Sequence, residues 1–487
     1  MSRMRIGRSV LVMTISLGGP MHLEAQRAAL TAADAALVGR ILLAEDRRDS
    51  TDIALSAGAR HADARVRTIA WRARHRIRDS KFAARDSLPP VSPPPVWPEP
   101  AWRLRYRALQ PRRDDCGVMR AALADSAWPV RLRALALLRE SCAGDAAIAA
   151  TLIRWVETLP ADASRRAAGG VSWHAAANAL LALARLRPAD ASLRVGGMAA
   201  HTQWQTRMYA ARAAGTLGDT NRLRALARDP NPNVREAAIG ALSELTGHAE
   251  DSLYIAALES DGAQAVRAAA MALKGSPLSG AREAALRVFP KWVLRRNASE
   301  RDVRIALLEA AGVPASQDRP PAHAPTLPPR AVALALGEDV RLRVTMSGAS
   351  GGGSFVVRLR GDVAPIMAGR VLELTQSRYY DNTTWHRTEH DFVVQGLGHG
   401  DNEYVGHDQY FRDELGTLPH ARGTIGMSTR GHDTGDAQWF INLRDNLRLG
   451  ADYTVFAEVV EGMHVVDGIM EGDIVARAEV LPPATVR

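Results

Sequence analysis

Apolar positions in the first two-thirds of the chain recur every three to four residues, and beyond about residue 340 they alternate. The clearest helical copy is Asp229-Pro-Asn-Pro-Asn-Val234-Arg235-Glu-Ala-Ala-Ile239-Gly-Ala-Leu242. An Asp-Pro turn stops one helix, and valine, alanine and leucine then line one stripe of the next. Related steps stand at Val66-Arg67, Val130-Arg131, Thr206-Arg207 and Val266-Arg267. Val234 to Val266 is 32 residues, Thr206 to Val234 is 28, and Val66 to Val130 is 64, twice 32. Periods of this size predict stacked helical hairpins, none of which buries its own apolar face alone. Alanine lets neighbouring helices approach closely, and the arginine is expected to reach an acidic group or helix end in the adjacent repeat.

The repeats resemble HEAT repeats in a short form, and they extend over about residues 26–313. Two proline-rich stretches interrupt the helical pattern. Leu88 to Pro100 (LPPVSPPPVWPEP) is excluded from helix and is expected to run extended between the first repeat and the rest. Residues 314–330 read as a semi-rigid linker. After it, Val340 to Thr345 alternates with period two, Ser347 to Ser354 is glycine-rich, and Phe355 to Leu359 resumes as strand, a hairpin that opens a mainly β domain over 331–487. Ala364 to Ser377 then reads as a helix with Pro365 in its first turn.

Composition refines this picture. A chain of 487 residues, 46% hydrophobic and 24% charged, calls for two or more globular domains. Residues from Val340 onward carry 14 Arg/Lys against 20 Asp/Glu, while the preceding region carries 48 against 33. A basic solenoid is therefore joined to an acidic domain. Only Lys81, Lys274 and Lys291 are lysines. The arginine excess is thus a habit of the whole chain, and with no binding motif beside it, nucleic acid is not an expected partner.

The first 25 residues read as a secretory signal. Arg3, Arg5 and Arg8 precede the short apolar run Val10 to Leu17, and Ala25 suits cleavage. A periplasmic or secreted protein is expected, with a cytoplasmic one as the alternative. No other segment approaches the roughly 18–20 apolar residues of a spanning helix. Cys116 and Cys142 lie at the start of one helix and the end of the next. An oxidising compartment would allow a disulfide between them, and otherwise they are thiols packed in helix ends.

Four blocks near the C-terminus carry the chemistry. They are Trp385-His386-Arg387 followed by Phe392-Val-Val-Gln395-Gly396; Arg422-Gly-Thr-Ile-Gly-Met427-Ser-Thr429; Ala437-Gln438-Trp439-Phe440-Ile441; and Tyr453-Thr-Val-Phe456-Ala-Glu-Val-Val-Glu461-Gly462-Met463. In order and spacing they resemble cyclophilins, which implies a closed barrel with helices and peptidyl-prolyl cis–trans isomerase activity on proline-containing polypeptides. The barrier to turning a peptide bond is resonance, about 18–20 kcal/mol. Its catalysis needs no nucleophile, metal or cofactor, only stabilisation of the twisted state in which the prolyl nitrogen accepts a hydrogen bond.

The resemblance assigns that donor to Arg387, whose guanidinium offers several N–H groups in a rigid fork. It assigns Gln395 to hold the arginine and the substrate backbone. Phe392, Phe440 and Leu449 are implied to build a socket for the proline ring, with Met427 at its edge, Gln438 lining the groove and the Tyr453 hydroxyl near the peptide. Thr429 stands where an asparagine commonly gives a backbone contact, and Arg448 where a large apolar residue closes the socket, which is expected to weaken that edge. His386 reads as structural, and Asp433 and Asp436 as a solvated turn rather than a metal site. The function expected is an exported folding isomerase whose repeats recruit clients or an unknown protein partner through their concave face. The alternatives are a non-catalytic adaptor that binds proline peptides, and a basic scaffold on acidic polymer or lipid.

Overall fold

The computed structural model describes residues 30–78, 91–160, 172–295, 300–319, 326–348, 351–407 and 409–483. The N-terminal segment that reads as a signal, and parts of both proline-rich stretches, lie outside them.

The repeat pattern is realised as a stack. Helices Trp173–Leu186, Trp204–Leu217, Pro232–Thr246, Ala263–Ala272 and Arg301–Ala310 each pack on the next, with shorter helices behind them. The apolar residue of each repeat step is the anchor: Val66, Val130, Thr206, Val234 and Val266 are all at most 1% exposed. The arginine beside it does something simpler than expected. Arg67 donates to His61 O at 2.7 Å, Arg207 to His201 O at 2.9 Å, Arg235 to Asp229 O at 2.7 Å, and Arg131 to Asp125 O. In each case the acceptor lies six residues upstream, so the guanidinium ties the turn before its own helix, and the expected acidic partner in an adjacent repeat is present at Arg207 and Arg267. Arg207 also pairs with Asp229 of the next repeat, at 2.7 Å. Arg267 departs from the rule, reaching Glu236 at 3.7 Å and lying over the Tyr404 ring at 4.0 Å. Cys116, opening helix Cys116–Leu123, is bonded to Cys142 just after helix Trp128–Leu137.

The C-terminal domain is a nine-stranded antiparallel sheet. Its strands are β1 Arg341–Met346, β2 Ser354–Leu359, β3 Thr384–Trp385, β4 Arg387–Thr388, β5 Val393–Gly396, β6 Thr424–Met427, β7 Trp439–Asn442, β8 Val455–Glu461 and β9 Asp473–Val480. They lie in the order β3-β9-β1-β2-β8-β6-β7-β5-β4. The first and last of that order are consecutive in the chain: β3 pairs with β9, and β4, past the single residue His386, pairs with β5. The sheet therefore closes on itself at His386. Inward residues such as Val394, Met427, Trp439, Ile441 and Phe456 fill the barrel, and helix Pro365–Gln376 adds Met367, Val371 and Leu372.

The two regions are packed together from several sides. Helices Ala32–Arg47, Ile53–Ala59 and Ala64–Arg78 do not join the core of the main stack. They share one with Ala331, Ala335 and Ile366 of the C-terminal region. Residues 91–100 run extended across the barrel, where Trp97 Nε1 donates to Val459 O at 3.1 Å and Arg422 Nη2 donates to Pro98 O at 3.1 Å. Gly423, at φ +86°, is needed there twice: its backbone is left-handed, and a Cβ would stand 2.6 Å from the Trp97 ring.

Arg76 fastens the first three helices. It is 5% exposed and donates to Leu415 O at 2.7 Å, Val363 O at 2.8 Å, Glu414 O at 2.9 Å and Glu45 Oε1 at 2.8 Å. Arg76→Ala would strand buried Glu45 and three carbonyls without their donor. The expected cost is about 3–5 kcal/mol, read as a fall in the urea midpoint against wild type. An unchanged midpoint would contradict this role.

Candidate active site

The register of four strands builds the site. Arg387 on β4 stands opposite Gln395 on β5, Gln395 opposite Phe440 on β7, and Phe440 opposite Gly426 on β6. Residues directly opposite in antiparallel strands share a face. The four therefore form one transverse row on the outside of the barrel, alternating with inward Val394, Trp439 and Met427.

At one end of the row, Arg387 Nη1 donates to Gln395 Oε1 at 3.1 Å, and Gln395 Nε2 donates to Ser428 Oγ at 2.8 Å. The glutamine is 7% exposed, and the arginine side chain keeps 42% of its surface. The guanidinium is held at one corner and leaves other N–H groups to solvent or substrate. Glu389 Oε1 lies 3.6 Å from Arg387 Nη2.

At the other end is an apolar cluster of Val393, Phe440 and Leu449, with Phe392 and Tyr453 packed at its rim. Gly426 sets its depth, since a Cβ there would meet Phe440 Cζ at 2.4 Å. Beneath Phe440, the His420 ring stacks at 5.7 Å and 15°. One His420 nitrogen meets Tyr453 O at 3.0 Å, and Asn442 and Asn446 link on to Phe392 O. This buried polar network fixes the chain segments that carry the rim. Tyr453 stands edge-on to Phe440, with ring centroids 5.5 Å apart.

Arg387, Gln395, Phe392, Phe440, Leu449 and Tyr453 are thus gathered on one face, with Thr429 half-buried on the turn leaving β6. Two expected site residues stand elsewhere. Met427 is corrected from socket edge to barrel interior: it is fully buried beside Trp439, because it follows outward Gly426 by one residue in a strand. Gln438 is corrected from groove lining to loop anchor. It is 1% exposed, and its Nε2 donates to Asn402 O at 2.9 Å and Val405 O at 2.8 Å. Arg448 does not leave a bare edge; its guanidinium lies 5.1 Å over the Phe392 ring, which Arg387 also approaches at 6.0 Å. Asp436 is buried and accepts from its own turn, through Ala437 N and from Gln438 N at 3.1 Å. Among the described residues no carboxylate, histidine or cysteine cluster has metal-binding geometry.

The sequence reading missed Val393, Gly426 and Ser428. Alternation from Gln395 would have found Val393, and Gly426 lies inside a quoted motif. It also missed a cleft of about 1010 Å³ beside Arg387, with one wall from the barrel and the other from helices Trp173–Leu186, Trp204–Leu217 and Pro232–Thr246. Nothing in the sequence pairs these walls, since they meet only through tertiary docking.

Residues 342–487 match the family of cyclophilin type peptidyl-prolyl cis-trans isomerases, and residues 195–274 match HEAT repeats. Peptidyl-prolyl cis-trans isomerase B of Escherichia coli (strain K12) is 34% identical over 128 residues, 24% of this chain and 78% of its own length. Peptidyl-prolyl cis-trans isomerase-like 3 of Dictyostelium discoideum is 33% identical over 123 residues, 24% of this chain and 74% of its own. A solved cyclophilin type isomerase of Cryptosporidium parvum covers 30% of this chain and 99% of its own at 21% identity, with a TM-score of 0.28. Relatives matched at a third identity over more than two-thirds of their own length place the chain in the cyclophilin-type peptidyl-prolyl cis–trans isomerase family.

Proposed function

We propose that this chain is a prolyl isomerase of exported polypeptides, with Arg387 as the catalytic group and the repeats recruiting the client chain. The observation that carries the catalytic part is the Arg387–Gln395 hydrogen bond, set in one row with Phe440. A proline ring against Val393, Phe440 and Leu449 would bring its nitrogen towards the guanidinium. Twisting the imide localises the nitrogen lone pair, and a donor already aimed there favours the twisted state over either planar one. Gln395 holds the fork in place, and Ser428 holds Gln395.

Export is supported by the arginine-led apolar N-terminus and by the bonded Cys116–Cys142 pair, which suits an oxidising compartment. Slow X-Pro isomerisation limits folding wherever chains fold. The adaptor reading is favoured by one observation, the arginine over Phe392 where a socket wall was expected. It predicts peptide binding without exchange between cis and trans signals.

Arg387→Ala is expected to lower kcat/KM in a protease-coupled proline-peptide assay about a hundredfold or more, with peptide affinity changed far less. No turnover by wild type, with binding intact, would leave the adaptor.

The mechanism moves no proton, so the rate is expected to be flat between about pH 6 and 8. His386, at the barrel closure, does not disturb this. Burial, and then the charge of Arg387, hold its pKa down to about 3 from 6.5. Both ring nitrogens are buried without a hydrogen-bond partner. The unfolded chain takes up this proton below pH 6.5, whereas the folded one takes it up only near 3. Stability from this group is therefore complete above 6.5 and is lost as the pH falls towards 3. Across that window His386→Gln should lose less stability than wild type, measured by urea titration at each pH. Parallel losses would show that the histidine is not held neutral.

A further inference from the structure

The cleft beside Arg387 is more than the prolyl site requires. At about 1010 Å³ it reaches the top of the range of about 300–1,000 Å³ usual for small-ligand pockets. The apolar cluster that would receive the proline lies outside its lining, and Arg387 touches both: it lines the cleft and lies 6.0 Å from the Phe392 ring at the rim of the cluster. Arg387 is thus the shared boundary of two adjoining spaces, one greasy and contained in the barrel, one polar and half-built by the repeats.

The repeat wall is held in register with the barrel. Tyr209 Oη donates to Glu471 Oε2 at 2.7 Å, Asn233 Nδ2 donates to Gly400 O at 3.1 Å, and Asn402 Nδ2 donates to Asn233 Oδ1 at 3.0 Å. Arg430, on the turn next to Thr429, pairs with Asp302 of helix Arg301–Ala310 at 2.7 Å. The barrel face carrying the site is therefore framed by the repeats, and the cleft between them opens beside Arg387.

The charge of the cleft selects what runs there. Its lining holds six acidic side chains against three guanidiniums, and burial raises Asp401 and Glu471 above the usual carboxylate range. Two of the guanidiniums are engaged over tyrosines: Arg133 over Tyr106 at 5.2 Å and Arg212 over Tyr209 at 4.7 Å. Glu236 from the repeats faces the field of Glu403 from the barrel. Burial, with that like charge adding, pushes Glu236 up to about 7 even though Arg267 is nearby. A cation placed between these two walls would relieve both carboxylates, whereas an anion would meet more of its own sign.

We infer that the cleft between the repeats and the barrel is an extended substrate subsite, which takes the polypeptide flanking the target proline and prefers basic side chains in it. This deepens the proposed function and rests on Arg387 being its catalytic group. The repeats then act as half of the binding site of the enzyme, and part of the specificity of the chain resides in residues the barrel does not own.

The test uses the full chain and three peptides: a short prolyl tetrapeptide, and two longer ones whose flanks carry either Lys/Arg or Asp/Glu. The basic peptide is expected to exceed its acidic twin in kcat/KM by about fivefold to tenfold, and Glu236→Gln with Glu403→Gln should bring that ratio towards one. Gly240 offers a second probe. It lines the cleft, and a Cβ there meets nothing within 4 Å, so the side chain of Gly240→Trp starts out into open space. It should lower the ratio of long basic to short peptide turnover several-fold, with circular dichroism and melting checked against wild type. Equal turnover of the two long peptides, or preference for the acidic one, overturns the inference while leaving isomerase activity in place. If even the tetrapeptide is not turned over, the catalytic reading fails instead. Titration of the two long peptides then decides the cleft by whether the basic one binds more tightly.

Discussion

A guanidinium eases the turning of an imide only if it is already pointed at the place where the nitrogen lone pair will appear. An arginine side chain free to wander would spend its interaction on being ordered. In this protein the ordering comes from one hydrogen bond, Arg387 Nη1 to Gln395 Oε1. That bond exists because β4 and β5 pair with these residues opposite each other. The pairing in turn depends on how the barrel closes. One short stretch gives its first half to β9 and its second half to β5, with His386 at the join. The catalytic donor is thus built into the seam of the sheet, and the half-buried histidine beside it, held neutral with its ring nitrogens buried, keeps a second positive charge away from that seam.

The same row fixes the other half of the chemistry. Phe440 takes the position next to Gln395 because β5 and β7 are in register, and it can lie flat because Gly426 has no side chain. The polar layer of His420, Asn442 and Asn446 below is fully or nearly buried, so shifting one member would leave others unsatisfied. The repeats meet this platform through several helices, at Tyr209, Asn233 and Asp302. Four repeat arginines tie the turn six residues upstream, while Arg267 turns instead to Glu236 and Tyr404. Asn233, in a repeat that keeps the rule, meets the same barrel loop at Gly400 and Asn402.

Much of this was legible in the residues. The step from 3.6-residue to two-residue periodicity separated the solenoid from the barrel, and the Val-Arg steps marked buried anchors at Val66, Val130, Val234 and Val266. Arg387, Gln395 and Phe440 came from motif spacing, and antiparallel register explains why they meet. The misreadings have physical causes. Met427 and Gln438 sit in the right motifs, but a one-residue step in a strand reverses the face, and a loop laid over Gln438 took its amide. Arg448 looked like a missing wall because its charge was weighed and its stem and planar head were not. The first three helices follow the repeat pattern yet share a core with the barrel side, since the apolar stripe says that a face must be covered but not by what.

The account stands or falls on whether the arginine must be held, and not merely present. Gln395→Leu keeps Arg387 and removes its anchor. The direct measurement is the cis–trans exchange rate of a saturating proline peptide on the protein, read by two-dimensional NMR exchange. The account predicts that exchange slows about tenfold or more in this variant, while the peptide still binds and the fold is unchanged. Exchange at the wild-type rate with Gln395 gone would contradict it.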